Sequence, residues 1–248
     1  EAEAEAAGRI MDLAHYNDAP IYLVHTSCKE ALAKVQQNFL REQRILVETC
    51  SQYLLLDDSC YEEPDFQGAK YVMSPPIRKK KDQKALWHAL QCGHIDTIAT
   101  DHCPFNLCGQ KDMGKDDFSR IPNGAAGVGH RLELIFSEGV KKERITMNRF
   151  VEVMSTNPAN IFGMDKKGSL AIGKDADIVL LDPNEKHTIS AKTHHHNVDS
   201  SIYEGWELTG RVKTVLSRGR VVVRDNKADQ IKKGSGLFQK RKAFNFSY

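Results

Sequence analysis

The 248-residue sequence has no uninterrupted apolar run of about 18 residues, the minimum for a membrane-spanning helix. It also lacks a strong charge of either sign, because 35 Lys and Arg residues are set against 33 Asp and Glu residues. Interspersed charges with a net value of +2 argue against nucleic acid or an anionic membrane as a partner. No initiator Met and no apolar secretory segment open the sequence. We therefore expect a soluble, cytoplasmic globular protein.

Cysteine is sparse, and its six residues are scattered rather than concentrated in a small disulfide-bonded scaffold. This distribution predicts reduced thiols. Cys103 and Cys108 stand at a spacing that allows a zinc interpretation. Since no second pair stands at ligand spacing, structural zinc is disfavoured.

Short apolar strands alternate with helical patterns in the first two thirds of the chain. The strand patterns cover 21–24, 45–47 and 97–100, and the helical patterns cover 1–16, 29–42, 82–92, 130–139, 147–155 and 158–163. This alternation is typical of βα units around a parallel sheet. We therefore predict an α/β fold in which residues 1–165 form part of a barrel, with functional residues where the strands end.

The pattern changes at about residue 166. Short strands between turn residues are predicted at 167–170, 176–183, 212–216 and 219–223. Residues 166–248 therefore form a predicted small β module, in which His194, His195 and His196 are interpreted as a surface or interface run. The tail beyond residue 226 is basic, with Phe238, Phe244 and Phe246 interleaved, and is predicted to be disordered or to pack on another subunit.

Two strands end on residues that can bind a metal, His25 and Asp101. Each also has an ordinary interpretation, since a histidine at a strand end can be structural and an aspartate can cap a turn. Together, an imidazole and a carboxylate suit Zn²⁺, Mn²⁺ or Fe²⁺. Two ligands are too few for a catalytic site.

One notable turn lies between the strands that end at His25 and Asp101, and a second follows Asp101. In Met73-Ser74-Pro75-Pro76 the prolines stiffen a loop that displays the backbone groups of Ser74. In Ile121-Pro122-Asn123-Gly124 the Asn-Gly pair suits a turn with positive φ. Neither local sequence assigns a function by itself.

An ordered series of motifs resembles the later half of dihydropyrimidinases and D-hydantoinases, which are cyclic amidohydrolases. The two turns belong to it, together with Thr100-Asp101-His102-Cys103-Pro104-Phe105. The remaining matching segments are 22–25, 48–54, 71–78, 114–118, 155–159, 173–177 and 190–195. The resemblance covers nearly the whole chain, and the order of the motifs makes it specific.

The resemblance implies the C-terminal part of a TIM-like (β/α)8 amidohydrolase barrel followed by a β-sandwich. It also implies two divalent metal ions, with zinc first and manganese or iron as alternatives. By motif, His25 and Asp101 resemble metal ligands, and Asp101 resembles the residue that carries the catalytic proton. Ser74 and Asn123 resemble the residues whose backbone groups hold the cyclic imide.

The implied reaction opens dihydropyrimidine or hydantoin rings to N-carbamoyl amino acids. No His-x-His pair precedes His25, so we predict that this chain is inactive by itself. The expected partners are a small cyclic imide and further copies of the chain, as a dimer or tetramer, with no nucleic acid and no membrane. The alternatives are a non-catalytic scaffold relative and another cyclic amidase, such as allantoinase or dihydroorotase.

Overall fold

The computed structural model of the protein describes residues 1–39, 43–228 and 231–244. Strands β1 (Ile21–Leu23), β2 (Ile45–Cys50) and β3 (Thr97–Ala99) form a parallel sheet in the order β1-β2-β3. Strand β2 is the central strand and is buried at five of its six positions. A strand covered on both faces takes apolar residues at consecutive positions, as in Ile45, Leu46 and Val47.

Helices precede, connect and follow the parallel strands. They are α1 (Ala2–Tyr16), α2 (Lys29–Phe39), α3 (Ser51–Leu55) and α4 (Lys80–Gln91), followed after β3 by α5 (Arg131–Ile135). Short 3-10 turns lie at Asp58–Glu62, Gln67–Tyr71, Lys111–Gly114 and Phe118–Arg120. Helix α4 buries Leu86, Trp87 and Leu90 along one face, as helical periodicity requires. The predicted helices at 29–42 and 82–92 are confirmed, although residues 40–42 lie outside the described residues.

The chain forms two compact units. The first contains Glu1–Leu134 and Thr188–Trp206, and the second contains Ile135–His187 and Glu207–Tyr248. The first unit holds the parallel sheet and all four predicted site residues. The division of the chain at residue 165 stays a prediction.

The second unit combines short helices with an antiparallel sheet. Its helices are α6 (Met147–Val151) and α7 (Asn157–Ile161), with wide π turns at Phe136–Lys141 and Glu152–Thr156. Strands β4 (Ile178–Thr188), β5 (Glu207–Ser217), β6 (Arg220–Arg224) and β7 (Lys227–Ala228) follow in that order across the sheet. The predicted α/β class is therefore confirmed, with a parallel sheet and a separate antiparallel sheet.

Two-residue loops set the hairpins of this sheet. Arg218 and Gly219 join β5 to β6, and Asp225 and Asn226 join β6 to β7. All four have positive φ, which matches the type I′ turn whose twist fits a right-handed pair of strands.

The predicted strand at 167–170 is wrong, because residues 167–169 form bends and residue 170 has no regular structure. Lys167 pairs with the carboxylates of Asp175, at 2.8 Å, and Asp177. These ion pairs fold the segment back on itself, so its backbone does not extend into the sheet. No helix among the described residues is both long enough and apolar enough to cross a membrane.

Candidate active site

His25 and Asp101 lie at the same edge of the parallel sheet, because parallel strands end on one side. His25 follows the last residue of β1 by two positions, and Asp101 follows β3 by the same interval. Their φ angles are 41° and 47°, in the left-handed region that residues with a side chain rarely adopt. Such strained backbone is found disproportionately at functional sites.

A carboxylate on the central strand holds the backbone at His25. Glu48 of β2 accepts the backbone N–H of His25 at 3.2 Å and the hydroxyl of Tyr22 at 2.7 Å. The Tyr22 hydroxyl also lies 2.6 Å from the hydroxyl of Thr97 on β3. Burial is the main cause that raises the pKa of Tyr22, so this phenol stays protonated. Glu48 and Tyr22 therefore link the three strands and hold the backbone of His25.

Ser74 and Asn123 come together although 49 residues separate them. The Ser74 hydroxyl donates to the side-chain carbonyl oxygen of Asn123 at 3.3 Å, and both residues are exposed. On the Ser74 side, the buried Tyr53 donates its hydroxyl to the carbonyl of Pro75 at 2.7 Å. The two predicted substrate-binding turns are thus one local surface.

The Asn123 turn also contacts the loop that carries Asp101. The backbone N–H of Cys103 donates to the carbonyl of Ala125 at 3.1 Å. Gly124 has φ +145°, and a Cβ built on it would stand 2.5 Å from the carbonyl oxygen of Cys103. Only glycine fits this close approach of two backbones. The contact joins the Ser74 and Asn123 surface to the edge of the sheet where Asp101 lies.

Sequence reasoning missed two residues that support this surface, Glu48 and Lys111. Glu48 carried a signal, because it is an acidic residue within an otherwise apolar strand pattern. Lys111 carried none, yet it is buried and its Nζ donates to the carbonyl of Val72 at 2.7 Å. Burial lowers the pKa of Lys111 to about 8, while nearby Cys103 raises it in part.

Four histidines form a cluster, one of them the chain neighbour of Asp101. We call it the histidine cluster: His102, His130, His194 and His196, with ring centroids 4.8 to 6.1 Å apart. His102 Nδ1 accepts the backbone N–H of Gly127 at 3.1 Å, and His196 Nε2 accepts that of Gly129 at 2.8 Å. A ring nitrogen that accepts a hydrogen bond is unprotonated. Burial, followed by the neighbouring histidines, lowers the pKa of His196 to about 4.

Two members of the histidine cluster, His194 and His196, belong to the 194–196 run interpreted from the sequence as a surface or interface run. His194 and His196 pack on His102 and His130 in the first compact unit. The physical reason is that the segment Thr188–Trp206 leaves the antiparallel sheet after β4 and returns to it at β5.

All six cysteines are free thiols in the structure.

The sequence matches the model of the Amidohydrolase family over residues 21–222, a range that includes both strand-end ligand candidates and both turns. The chain belongs to the amidohydrolase family. That family generally uses a divalent metal centre.

Comparison with individual amidohydrolases shows a closer relationship. The chain is 46% identical to D-hydantoinase from Geobacillus stearothermophilus over 242 residues, which are 97% of this chain and 51% of the relative. Among solved structures it is similar to D-hydantoinase from Bacillus sp. AR9, with 46% identity and a TM-score of 0.95 over 98% of this chain and 53% of the other. It is also similar to dihydropyrimidinase from Brevibacillus agri NCHU1002, with 48% identity and a TM-score of 0.89 over 91% of this chain and 49% of the other.

The predicted resemblance to dihydropyrimidinases and D-hydantoinases is therefore confirmed. The chain spans about half the length of the curated relatives it matches.

The candidate ligands in this amidohydrolase chain, His25 and Asp101, can form only part of a metal centre. His25 and Asp101 have the right chemistry for a divalent ion and stand at one edge of the sheet. However, among the residues that the structure describes, no three His, Cys, Asp or Glu side chains lie close enough together to hold a metal ion. A catalytic zinc usually has about three protein ligands, so His25 and Asp101 alone do not make up such a site.

Proposed function

We propose that this chain supplies the C-terminal half of a hydrolase that opens the ring of dihydropyrimidines or hydantoins to give N-carbamoyl amino acids. In this proposal, residues outside this chain supply the missing ligands. We use the term intact enzyme for the protein that contains both this chain and those residues. In this proposal residues 1–165 complete a (β/α)8 barrel, and residues 166–248 contribute to a β-sandwich. The similarity to D-hydantoinases along nearly the whole chain supports it.

The observation that carries the proposal is the 3.3 Å contact between Ser74 and Asn123. A cyclic imide presents carbonyl and N–H groups in one plane, and such a ligand is held well by fixed backbone donors and acceptors. In this proposal, the backbone groups of Ser74 and Asn123, whose side chains meet at this contact, supply such a pair. The turn that carries Asn123 is bonded to the loop that follows Asp101, so the ring would lie beside this carboxylate.

In the proposed mechanism His25 and Asp101 would hold part of a divalent metal pair, with zinc as the first candidate and manganese or iron as alternatives. When bound, the metals supply a strong nucleophile near neutral pH, because they lower the pKa of water. The Asp101 carboxylate takes the proton of the attacking water and returns it to the ring nitrogen that leaves. Backbone groups of Ser74 and Asn123 orient the imide and hold the scissile carbonyl in place.

Among the described residues the parallel sheet has three strands, and its edge strands would pair with strands of the missing half in the intact enzyme. On the resemblance to D-hydantoinases, we propose that the intact enzyme is a homo-oligomer, either a dimer or a tetramer. Light scattering of the purified intact enzyme tests this, and a monomer at micromolar concentration would refute it.

A substrate panel tests the proposed function. The intact enzyme is assayed with dihydrouracil, phenylhydantoin and allantoin, before and after removal of metal. We expect turnover of one of the first two and its loss with the metal. Turnover of allantoin alone would identify a different cyclic amidase, and a protein that holds no metal and turns over none of the three would identify a scaffold relative.

A further inference from the structure

Lys111 is a lysine buried inside the first compact unit, with 1% of its surface exposed. It begins the 3-10 turn Lys111–Gly114, and among the described residues no carboxylate pairs with its ammonium group. Burying a charge costs free energy unless the charge is paired or hydrogen-bonded. A residue that only fills space at this position would be apolar. The ammonium group therefore needs an explanation.

The partner of Lys111 is a backbone carbonyl that joins two loops. The oxygen of Val72 accepts the Lys111 ammonium at 2.7 Å and the backbone N–H of Gly124 at 3.0 Å. Val72 stands two residues before Ser74, and Gly124 directly follows Asn123. One acceptor thus connects the two turns proposed to hold the substrate, and Lys111 supplies the charged donor to it. A hydrogen bond from a charged donor is about twice as strong as one between neutral groups.

The turn that contains Lys111 also packs directly against the Asn123 turn. A Cβ built on Gly114 would stand 2.1 Å from Cγ1 of Ile121 and 3.0 Å from the backbone nitrogen of Ile121. At its other end, the backbone N–H of Lys111 donates to the carbonyl of Asn106 at 3.0 Å. These contacts fix the backbone of Lys111, so its side chain reaches Val72 from a defined position.

We propose that Lys111 is a positioning residue that sets the spacing between the Ser74 loop and the Asn123 turn, and with it the fit of the cyclic imide. The inference rests on the proposed function, because it assigns those two turns to the substrate. Lys111 is not a catalytic residue, since its ammonium group is buried and bonded to the Val72 carbonyl rather than directed at the exposed surface of Ser74 and Asn123.

The test compares Lys111→Met with Lys115→Met in the intact enzyme. Methionine keeps the length of the side chain and removes the donor, and the exposed Lys115 lies four positions further along the same segment. We expect Lys111→Met to raise KM about 10-fold, because losing a hydrogen bond from a charged group corresponds to roughly one decade in an equilibrium constant. We expect kcat to change by less than about threefold, since looser substrate positioning affects binding more than the bond-breaking step. Lys115→Met should match the wild type.

Other outcomes decide against the inference. A KM equal to that of the wild type, or equal changes in Lys111→Met and Lys115→Met, overturns it. If Lys111→Met does not fold, Lys111→Gln is measured by the same criteria. Failure of both variants to fold shows that Lys111 is needed for the fold itself and overturns the positioning role.

A second readout separates this inference from the proposed function. If the wild-type enzyme turns over none of the cyclic amides, the proposed function fails and Lys111 is judged by hydrogen exchange alone. We expect amide exchange in the segment 121–125 to be about 10-fold faster in Lys111→Met than in wild type. The reason is that the Val72 carbonyl, which accepts the backbone N–H of Gly124, loses its hydrogen bond from Lys111. Unchanged exchange overturns the inference, whatever the activity.

Discussion

Replacing Gly124 with alanine is expected to lower the stability of the protein and to disturb its proposed substrate site. Gly124 has φ +145°, a conformation open almost only to glycine, and a side chain there costs about 1–3 kcal/mol in backbone strain. The added Cβ would also stand 2.5 Å from the carbonyl oxygen of Cys103 and 2.6 Å from its Cβ. Backbone atoms cannot rotate away as a flexible side chain can, so the overlap adds about 1–3 kcal/mol, the usual cost of overpacking.

Gly109→Ala is the matched control for this prediction. Gly109 also has positive φ, +79°, but a Cβ built on it has no neighbour within 4 Å, so its replacement introduces strain without overlap. The difference between the two variants isolates the overlap, which we place at about 2 kcal/mol. This corresponds to a difference in Tm of about 4–8 °C for a domain of 150–250 residues, and to a smaller difference for the longer intact enzyme, whose entropy of unfolding is larger.

The assay is differential scanning calorimetry of both variants in the intact enzyme, followed by KM for the substrate that the wild type turns over. We expect Gly124→Ala to have the lower Tm and a raised KM, because the turn that carries Asn123 must move away from Cys103. If Gly124→Ala melts at the same temperature as Gly109→Ala, the reasoning from the close approach of the two backbones is refuted.

Four further predictions concern the charged residues and the metal. Asp101→Ala should lower kcat at least 10²-fold, within the range expected for loss of a general acid–base, and a variant that keeps a tenth of the wild-type kcat would contradict the role of Asp101. His25→Ala should lower the content of one metal per active site more than the other, as measured by elemental analysis, and equal retention of both would make His25 structural. The pKa of Lys111 in the folded protein, about 8, lies below that of an unfolded lysine, about 10.4, so the unfolded state binds more protons between these pH values. The free energy of unfolding therefore rises with pH in that window, by up to about 3 kcal/mol. Tm measured from about pH 7.5 to 10.5 should show this rise in wild type but not in Lys111→Met, and parallel curves would contradict it. The 248-residue chain alone, loaded with zinc and freed of excess metal, should hold no metal pair and open no ring, and two tightly held metals per chain would contradict the ligand count.

Local sequence patterns were sufficient to predict the strands of the parallel sheet. The consecutive apolar residues 45–47 predicted a buried strand, and β2 is the central strand of that sheet. Helix α4 follows the same logic, because its buried residues recur on one face. The π turns at Phe136–Lys141 and Glu152–Thr156 escaped prediction, since apolar spacing marks the buried face of a helix but does not distinguish a wide turn from a normal one.

The failed strand at 167–170 has a similar explanation. Its sequence predicts a short strand between turn residues, but the ion pairs of Lys167 join it to Asp175 and Asp177. Those partners are close in sequence, yet the pattern of apolar residues carries no information on which charges pair. Electrostatic contacts therefore decided the shape of a segment that hydrophobic periodicity left open.

The sequence by itself determined the family, the α/β class and the four residues proposed for the site. These features follow from strand periodicity, from the residues that end each strand, and from ordered motifs, all of which are local properties of the chain. Only the tertiary structure decided how those residues are supported. Ser74 meets Asn123 across 49 positions, and Lys111 meets Val72 across 39. The histidine cluster likewise joins segments that are far apart in the chain. Contacts of this kind depend on which backbone segments the packed core brings together, so a donor such as Lys111 looks like any other lysine until the fold buries it.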